Sequence, residues 1–205
     1  MFNSTYANIT VWLAQILFFF GLVSQIILNF RLKSTKGLSD LWLILLFNGY
    51  LAQIFYTYSL DFPFSYKVMV PLSTLAVLVI IGQRFYYSDL TSRRNINFLK
   101  VFIVNLLAAL FILPFAVDMP ADMGYWSGFL MTILWAIYLL PQVYKIFITK
   151  SVEGFSFTLV SLVAVGNFME FTSAVMLHLP YPTILNNFRA IFFYLLICLQ
   201  FLLYK

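Results

Sequence analysis

The sequence predicts an all-α membrane protein, with seven transmembrane helices arranged as two parallel triple-helix bundles joined by a linker helix (3+1+3). Three observations predict it. Of 205 residues, 63% are hydrophobic and 9% are charged, whereas a soluble globular domain carries about 25% charged residues. Apolar runs long enough to cross a hydrocarbon core about 30 Å thick occur near 9–30, 40–60, 66–87, 97–117, 124–148, 157–178 and 181–204. Finally, Ser24-Gln25 followed by Phe30, Lys33-Ser34, Gly37, Ser39 and Gly49 recurs without a gap, 117 positions later, as Pro141-Gln142 followed by Phe147, Lys150-Ser151, Gly154, Ser156 and Gly166. Such a repeat means two similar halves.

Span one has no basic residue ahead of it and no small-residue cleavage pattern behind it, so it is expected to persist rather than be removed as a signal peptide. Asn3 and Asn8 begin glycosylation tripeptides, matches that arise by chance in an Asn-rich chain. Spans one to three form the first unit, residues 1–95, and spans five to seven the second, residues 124–205, with span four and its loop, residues 96–123, between them. Because each unit crosses three times, one extra crossing lets the second enter from the same side as the first, which predicts a pseudo-twofold axis along the membrane normal. Pro114 and Pro120 end span four, and the loop with Asp118, Met119, Pro120 and Asp122 launches the second unit. Cys198, in the last span, has no partner for an internal disulfide and is expected to be a buried, inert thiol.

Charge sets the orientation. Arg31, Lys33, Lys36, Arg84, Arg93, Arg94, Lys100, Lys145, Lys150 and Lys205 share one face, whereas Asp61, Lys67, Asp118 and Asp122 share the other. The positive-inside rule places the basic face in the cytoplasm, hence an outside amino terminus and an inside carboxyl terminus. The net charge of +5 is therefore an orientation signal, and no nucleic-acid partner is expected. Trp12, Tyr125, Trp126 and Tyr181 at one edge, with Trp42, Tyr86, Tyr87, Tyr144 and Tyr204 at the other, are expected as aromatic belts.

Within the repeat, Pro141 lacks an amide hydrogen and its ring crowds the carbonyl of Ile137, so span five should kink there. Gln142 supplies an amide beside the kink, able to satisfy a freed carbonyl or to hold a neighbouring helix. This pair reads either as a static kink with a packed glutamine or as a hinge. Ser24 stands where the first unit lacks the proline and keeps its amide beside Gln25, so the first kink should be weaker. Lys33 and Lys150 are expected near the last carbonyls of their helices, Gly37 and Gly154 in left-handed turns, and Ser39 and Ser156 as N-caps.

Polar groups at depth are the candidates for function, since a charge at the centre of a span costs about 2.5–3.5 kcal/mol on insertion scales. Glu170 is the acid well inside a span and Arg189 the well-buried base. They are equidistant from the turn between spans six and seven, roughly 14 Å from it at about 1.5 Å per residue. They are expected to form an ion pair at a central cavity, either exchangeable with substrate or a proton, or permanent and structural. Asn167 shares the Glu170 face, and the repeat offset maps Glu170 onto Gln53 and Asn167 onto Tyr50. Asn186 shares the Arg189 face, Asn187 is its neighbour, and Asn48 and Asn29 add amides in the first unit.

Pro141-Gln142 with Lys150-Ser151-x-x-Gly154-x-Ser156, and the weaker copy from Ser24 through Ser39, resemble the two motifs of the PQ-loop transporter family, which includes cystinosin-like and cationic amino-acid exporters and is related to the SWEET sugar carriers. The resemblance implies alternating access for a small polar solute, often with proton coupling. It implies a bacterial inner membrane or a eukaryotic endolysosomal one, and the repeat together with the resemblance favours the hinge reading. Cystinosin-like carriers resemble one another in an Asn and an Asp where this chain has Ile146 and Val163, which counts against cystine.

One acid, one base and several amides suit a zwitterion, which ranks an amino acid above a neutral sugar as cargo. The alternatives from other classes are a sorting receptor for peptide carboxyl termini, which would need more cations than Arg189, and a scaffold acting through its short loops. A light sensor would need a lysine deep in span seven, which has none before Lys205. With no catalytic triad and no metal-ligand cluster in the sequence, neither an enzyme nor a cofactor is expected, and an oligomer is not required.

Overall fold

The computed structural model describes residues 4–88, 92–116 and 118–204. Asn3 and Lys205 lie outside them, as does the side chain of Arg94. Among the described residues the chain is helical, with no strand: α1 (Ser4–Leu32), α2 (Asp40–Ser59), α3 (Phe64–Tyr86), α4 (Arg93–Ile112) with a 3-10 turn Leu113–Ala116, α5 (Ala121–Ile137), α6 (Leu140–Thr149), α7 (Phe157–Met176) and α8 (Tyr181–Leu203). Taking α5 and α6 together, 7 helices are long and apolar enough to cross a membrane.

Helix starts differ by face. At the basic loops, Ser39, Ser92 and Ser156 cap α2, α4 and α7, each hydroxyl accepting from the amide of Trp42, Asn95 or Leu159. That satisfies a backbone donor which has no intrahelical partner. At the opposite face α3, α5 and α8 follow Pro63, Pro120 and Pro180, whose fixed φ delivers an extended residue directly before the first turn. There too the half-buried Lys67 pairs with the exposed Asp61, and this hydrogen bond and charge hold the Asp61 carboxyl below its usual range.

The expected break in span five is present. α5 stops at Ile137 and α6 begins at Leu140, with Pro141 in its first turn, where a missing amide costs no intrahelical bond. By contrast α1 runs unbroken for 29 residues through Ser24, whose hydroxyl returns to the Gly21 carbonyl at 2.6 Å.

Packing follows a pattern: α1 lies against α3 and α7, α2 against α3 and α5, and α8 against α7 and α5. The first helix of each repeat thus packs on the second helix of the other. α4 touches α2 only lightly and exposes Val104, Leu107, Leu110 and Phe111, a face suited to lipid.

Several local expectations need correction. Trp42 is not in an aromatic belt; it is 1% exposed and packs edge-on against Phe155, whereas Trp126, Tyr181, Tyr86 and Tyr144 are exposed. Cys198 is half-buried. Gly154 (φ 79) adopts the left-handed region as expected, whereas the residues that end α1 and α6 there are Lys33 (φ 47) and Lys150 (φ 51). Gly37 is required for a different reason, close approach: a Cβ there would meet the Glu153 carbonyl oxygen at 2.3 Å and the Gly154 backbone at 2.6 Å. The two basic-face loops therefore touch backbone to backbone.

This contact makes a prediction. Gly37→Ala should destabilise the detergent-purified protein by about 1–3 kcal/mol, as overpacking does, whereas Gly82→Ala, with nothing within 4 Å, should be neutral or stabilising. Thermal melting of the two variants beside the parent checks it.

Candidate functional site

A cavity lies between the repeats, and it is built from matching positions of both. From α2 it takes Trp42, Leu46, Tyr50 and Gln53; from α7 it takes Leu159, Val163, Asn167 and Glu170, each 117 positions later. Phe18 of α1 and Trp135 of α5, also 117 apart, both belong to the lining. Phe18 rests on Gly166 and Trp135 on Gly49. The two sides are unlike in chemistry: Tyr50 of α2 corresponds to Asn167 of α7, and Gln53 to Glu170. About 60 Å³ is open to the centres of water-sized spheres, room for several waters at roughly 10–15 Å³ each.

Glu170 and Arg189 both line this cavity, yet they do not form an ion pair. Among the described residues the ion pairs are Lys67–Asp61 and Arg84–Asp40. The Glu170 carboxylate is 4% exposed and accepts from Gln15 Nε2 of α1 at 2.9 Å, while Tyr66 of α3 and Asn187 of α8 also face it. Arg189 donates to the Trp135 carbonyl and, at 2.7 Å, to Asn186 Oδ1. Its Nε has no hydrogen-bond partner among the described residues, and its guanidinium lies 5.7 Å from the centre of the Phe193 ring. The physical reason for the correction is lateral. Equal depth on an antiparallel hairpin does not bring two side chains together when α1 and α5 supply each with a nearer, neutral partner.

The other candidates divide. Asn167, Asn186, Gln53 and Tyr50 line the cavity; Tyr50 sits edge-on to Trp135 with centroids 5.1 Å apart, and Asn167 donates to the Val163 carbonyl of its own helix. Asn48 does not line it; its amide returns to Ile44 of its own helix. Asn29 belongs instead to a bonded chain of Gln25, Asn29 and Gln83. Sequence reasoning missed Gln15, Trp42, Trp135, and the hydrogen-bonded hydroxyls of Tyr138 and Tyr194, all in the lining. Gln15 carried a signal, an amide in mid-span; aromatic residues in a chain with 20% of them carried none.

Below the cavity, toward the basic loops, the repeated glutamines cross over. Ser39 N–H donates to Gln142 Oε1 at 2.9 Å, and Gln142 Nε2 donates to the Gly37 carbonyl at 2.9 Å. In mirror fashion, Ser156 N–H donates to Gln25 Oε1 at 2.8 Å, and Gln25 Nε2 donates to the Gly154 carbonyl at 3.0 Å. Each glutamine is fully buried and holds both backbone groups of the other repeat's glycine loop. Pro141 and Ser24 flank these amides without lining the cavity; Ser24 Oγ lies 3.0 Å from Ser156 Oγ.

These reciprocal bonds join two copies of one motif, and comparison with known proteins finds the same two copies. A family model described as the PQ loop repeat matches residues 6–66 and 123–183. The chain belongs to the PQ-loop family. Its members are generally membrane carriers of small solutes rather than enzymes. The chain is also similar to the uncharacterized protein C2E12.03c of the fission yeast Schizosaccharomyces pombe, 25% identical over 177 residues, which are 83% of this chain and 62% of that relative. It therefore spans less than two thirds of the relative's length.

Loss of one glutamine from this PQ-loop protein leaves a loop amide and carbonyl unpaired, most of them half-buried, at up to about 1–3 kcal/mol for each orphaned group. Gln142→Ala and Gln25→Ala should each lower thermal stability and raise labelling, from the basic-loop side, of a cysteine introduced at Leu159. Unchanged labelling would show that the glutamines do not hold this face shut.

Proposed function

We propose that the chain is an alternating-access carrier of amino acids, with a proton as coupling ion. The observation that carries this reading is that Glu170 and Arg189 line one cavity while each is bonded to neutral groups. A charge in a low-dielectric interior is costly unless compensated, and a zwitterion compensates both charges at once, ammonium toward Glu170 and carboxylate toward Arg189. Trp42 Nε1, buried, lining the cavity and without a hydrogen-bond partner among the described residues, adds a donor suited to the carboxylate. A neutral sugar would leave both charges as they are, and a receptor for peptide termini would need more cationic groups than Arg189.

The two units exchange access by rocking about their pseudo-twofold axis, with the break at Pro141 as the flexible point of span five and the glutamine crossings as the closure on the basic side. That side is the cytoplasm by charge. The unbroken α1 gives the first unit the smaller bend. A proton enters the cycle at Glu170, because a carboxylate relieved of its ammonium partner is neutralised by taking one up.

In proteoliposomes, Glu170→Gln should abolish the pH dependence of amino-acid uptake while leaving counterflow exchange. Retained pH dependence would reject the proton role. Arg189→Gln should weaken amino-acid binding by about 2 kcal/mol or more, the usual loss when one partner of a desolvated charge pair is removed; thermal-shift titration reads it, and an unaltered titration would reject the carboxylate contact.

A further inference from the structure

The two glutamine crossings share a geometry but are not held alike. α6 bonds four consecutive residues of the first basic loop. Lys145 Nζ donates to the carbonyl of Lys36 and, at 2.7 Å in a half-buried bond, to that of Leu38. Between them Gln142 Nε2 donates to Gly37, and Gln142 Oε1 accepts from Ser39 N–H. At the other crossing α1 bonds the matching loop through Gln25 and the Ser24–Ser156 hydroxyl contact. The residue 117 positions before Lys145 is Leu28, which has no donor to offer. A bond from an ammonium is about twice as strong as a neutral one, so the α6 crossing is the firmer.

Behind the crossings the difference runs the other way. α1 is continuous and is tied twice to α3 of its own unit. Gln83 Nε2 donates to the Ile26 carbonyl at 3.0 Å, and Asn29, itself bonded to Gln25, donates to Gln83 Oε1 at 2.9 Å. In the second unit the span is broken between Ile137 and Leu140. There Gln200 Nε2 keeps the first tie, to the Val143 carbonyl at 3.0 Å, and an exposed bond joins Lys150 to the Tyr204 hydroxyl. The second tie is gone: Ile146 stands at the position of Asn29, and Gln200 Oε1 has no partner among the described residues. One residue further along, the Arg84–Asp40 ion pair between α3 and α2 is replaced by the Phe201–Phe157 ring contact between α8 and α7, centroids 5.2 Å apart.

α6 is therefore joined to the first unit's loop more firmly than to its own bundle. It also has a joint at each end, the break before Leu140 and the loop 150–156, whereas α1 has one only at its loop end. We propose that α6 stays on the first unit's loop when the units part on the basic side, with Lys145 as the positioning residue that keeps it there, so that this face opens at the Gln25 crossing. The proposal rests on the alternating-access reading and says which seam serves it. Gln25 leaves Gly154 and Ser156, while the break at Pro141 absorbs the tilt of α5.

Two homologous amides report on the two crossings in the unaltered chain. Ser39 N–H and Ser156 N–H each donate to a glutamine oxygen, the first in a half-buried bond and the second in a buried one. A bonded amide exchanges only when its surroundings open. By burial alone Ser156 would exchange the more slowly, and an opening at the Gln25 crossing reverses that order. Amide-resolved hydrogen–deuterium exchange of the lipid-reconstituted chain, corrected for intrinsic rates, should find Ser156 about tenfold or more faster than Ser39, the effect of roughly one charge-assisted bond. Lys145→Met should speed exchange at Ser39 and leave Ser156 unchanged, and Lys145→Arg should restore slow exchange at Ser39. Ser39 exchanging as fast as Ser156, or faster, would overturn the proposal, and that comparison stands even if Lys145→Met does not fold. Equal acceleration of both amides in Lys145→Met would overturn it too. Faster exchange at Ser156 in a protein that no amino acid stabilises would reject the cargo and retain the seam. Equal exchange in a protein that an amino acid does stabilise would reject the seam and retain the cargo.

Discussion

In a bilayer no solvent is available to a backbone amide or carbonyl, so each must be paired within the chain. Helices meet that constraint along their length and fail it at their ends. In this protein the two loops that close the basic face leave Gly37, Ser39, Gly154 and Ser156 with inward-pointing backbone groups, and the repeated glutamines of the opposite unit pair with them. Everything nearer the cavity depends on this arrangement. The crossing bonds hold the loops in contact, the contact demands Gly37, and the cavity that holds Glu170 and Arg189 lies above them.

Duplication explains why one interaction appears twice, and divergence explains why the cavity is not symmetric. The lining positions of α2 and α7 correspond at a constant offset, yet Gln53 has become Glu170 and Tyr50 has become Asn167 along that correspondence. The acid and the base of the lining, Glu170 and Arg189, both come from the second repeat. The first repeat supplies neutral amides and aromatic walls instead.

Much of the fold could be read from residues. Span positions follow from hydropathy, the serine caps from their place ahead of each apolar run, and the interruption of span five from a proline that cannot donate. What escaped the sequence is lateral. Helical rise gives positions along a helix but does not reveal that Gln15, Trp135 and Asn186 stand nearer to Glu170 and Arg189 than those two do to one another. Trp42 illustrates the same gap, since a tryptophan at a span end fits an interfacial belt as well as a cavity wall, and only the approach of Phe155 decides it. Gly37 was legible as a turn residue, whereas its true constraint is a neighbour 117 positions away.

The central claim is that two opposite, mutually unpaired charges in one chamber select the cargo. It is tested most directly by the equilibrium affinity of an amino acid that stabilises the purified protein, measured beside its decarboxylated and its deaminated analogues. The account predicts that each analogue binds at least about 30-fold more weakly, the equivalent of about 2 kcal/mol. Binding of either analogue as tight as that of the parent amino acid would contradict it.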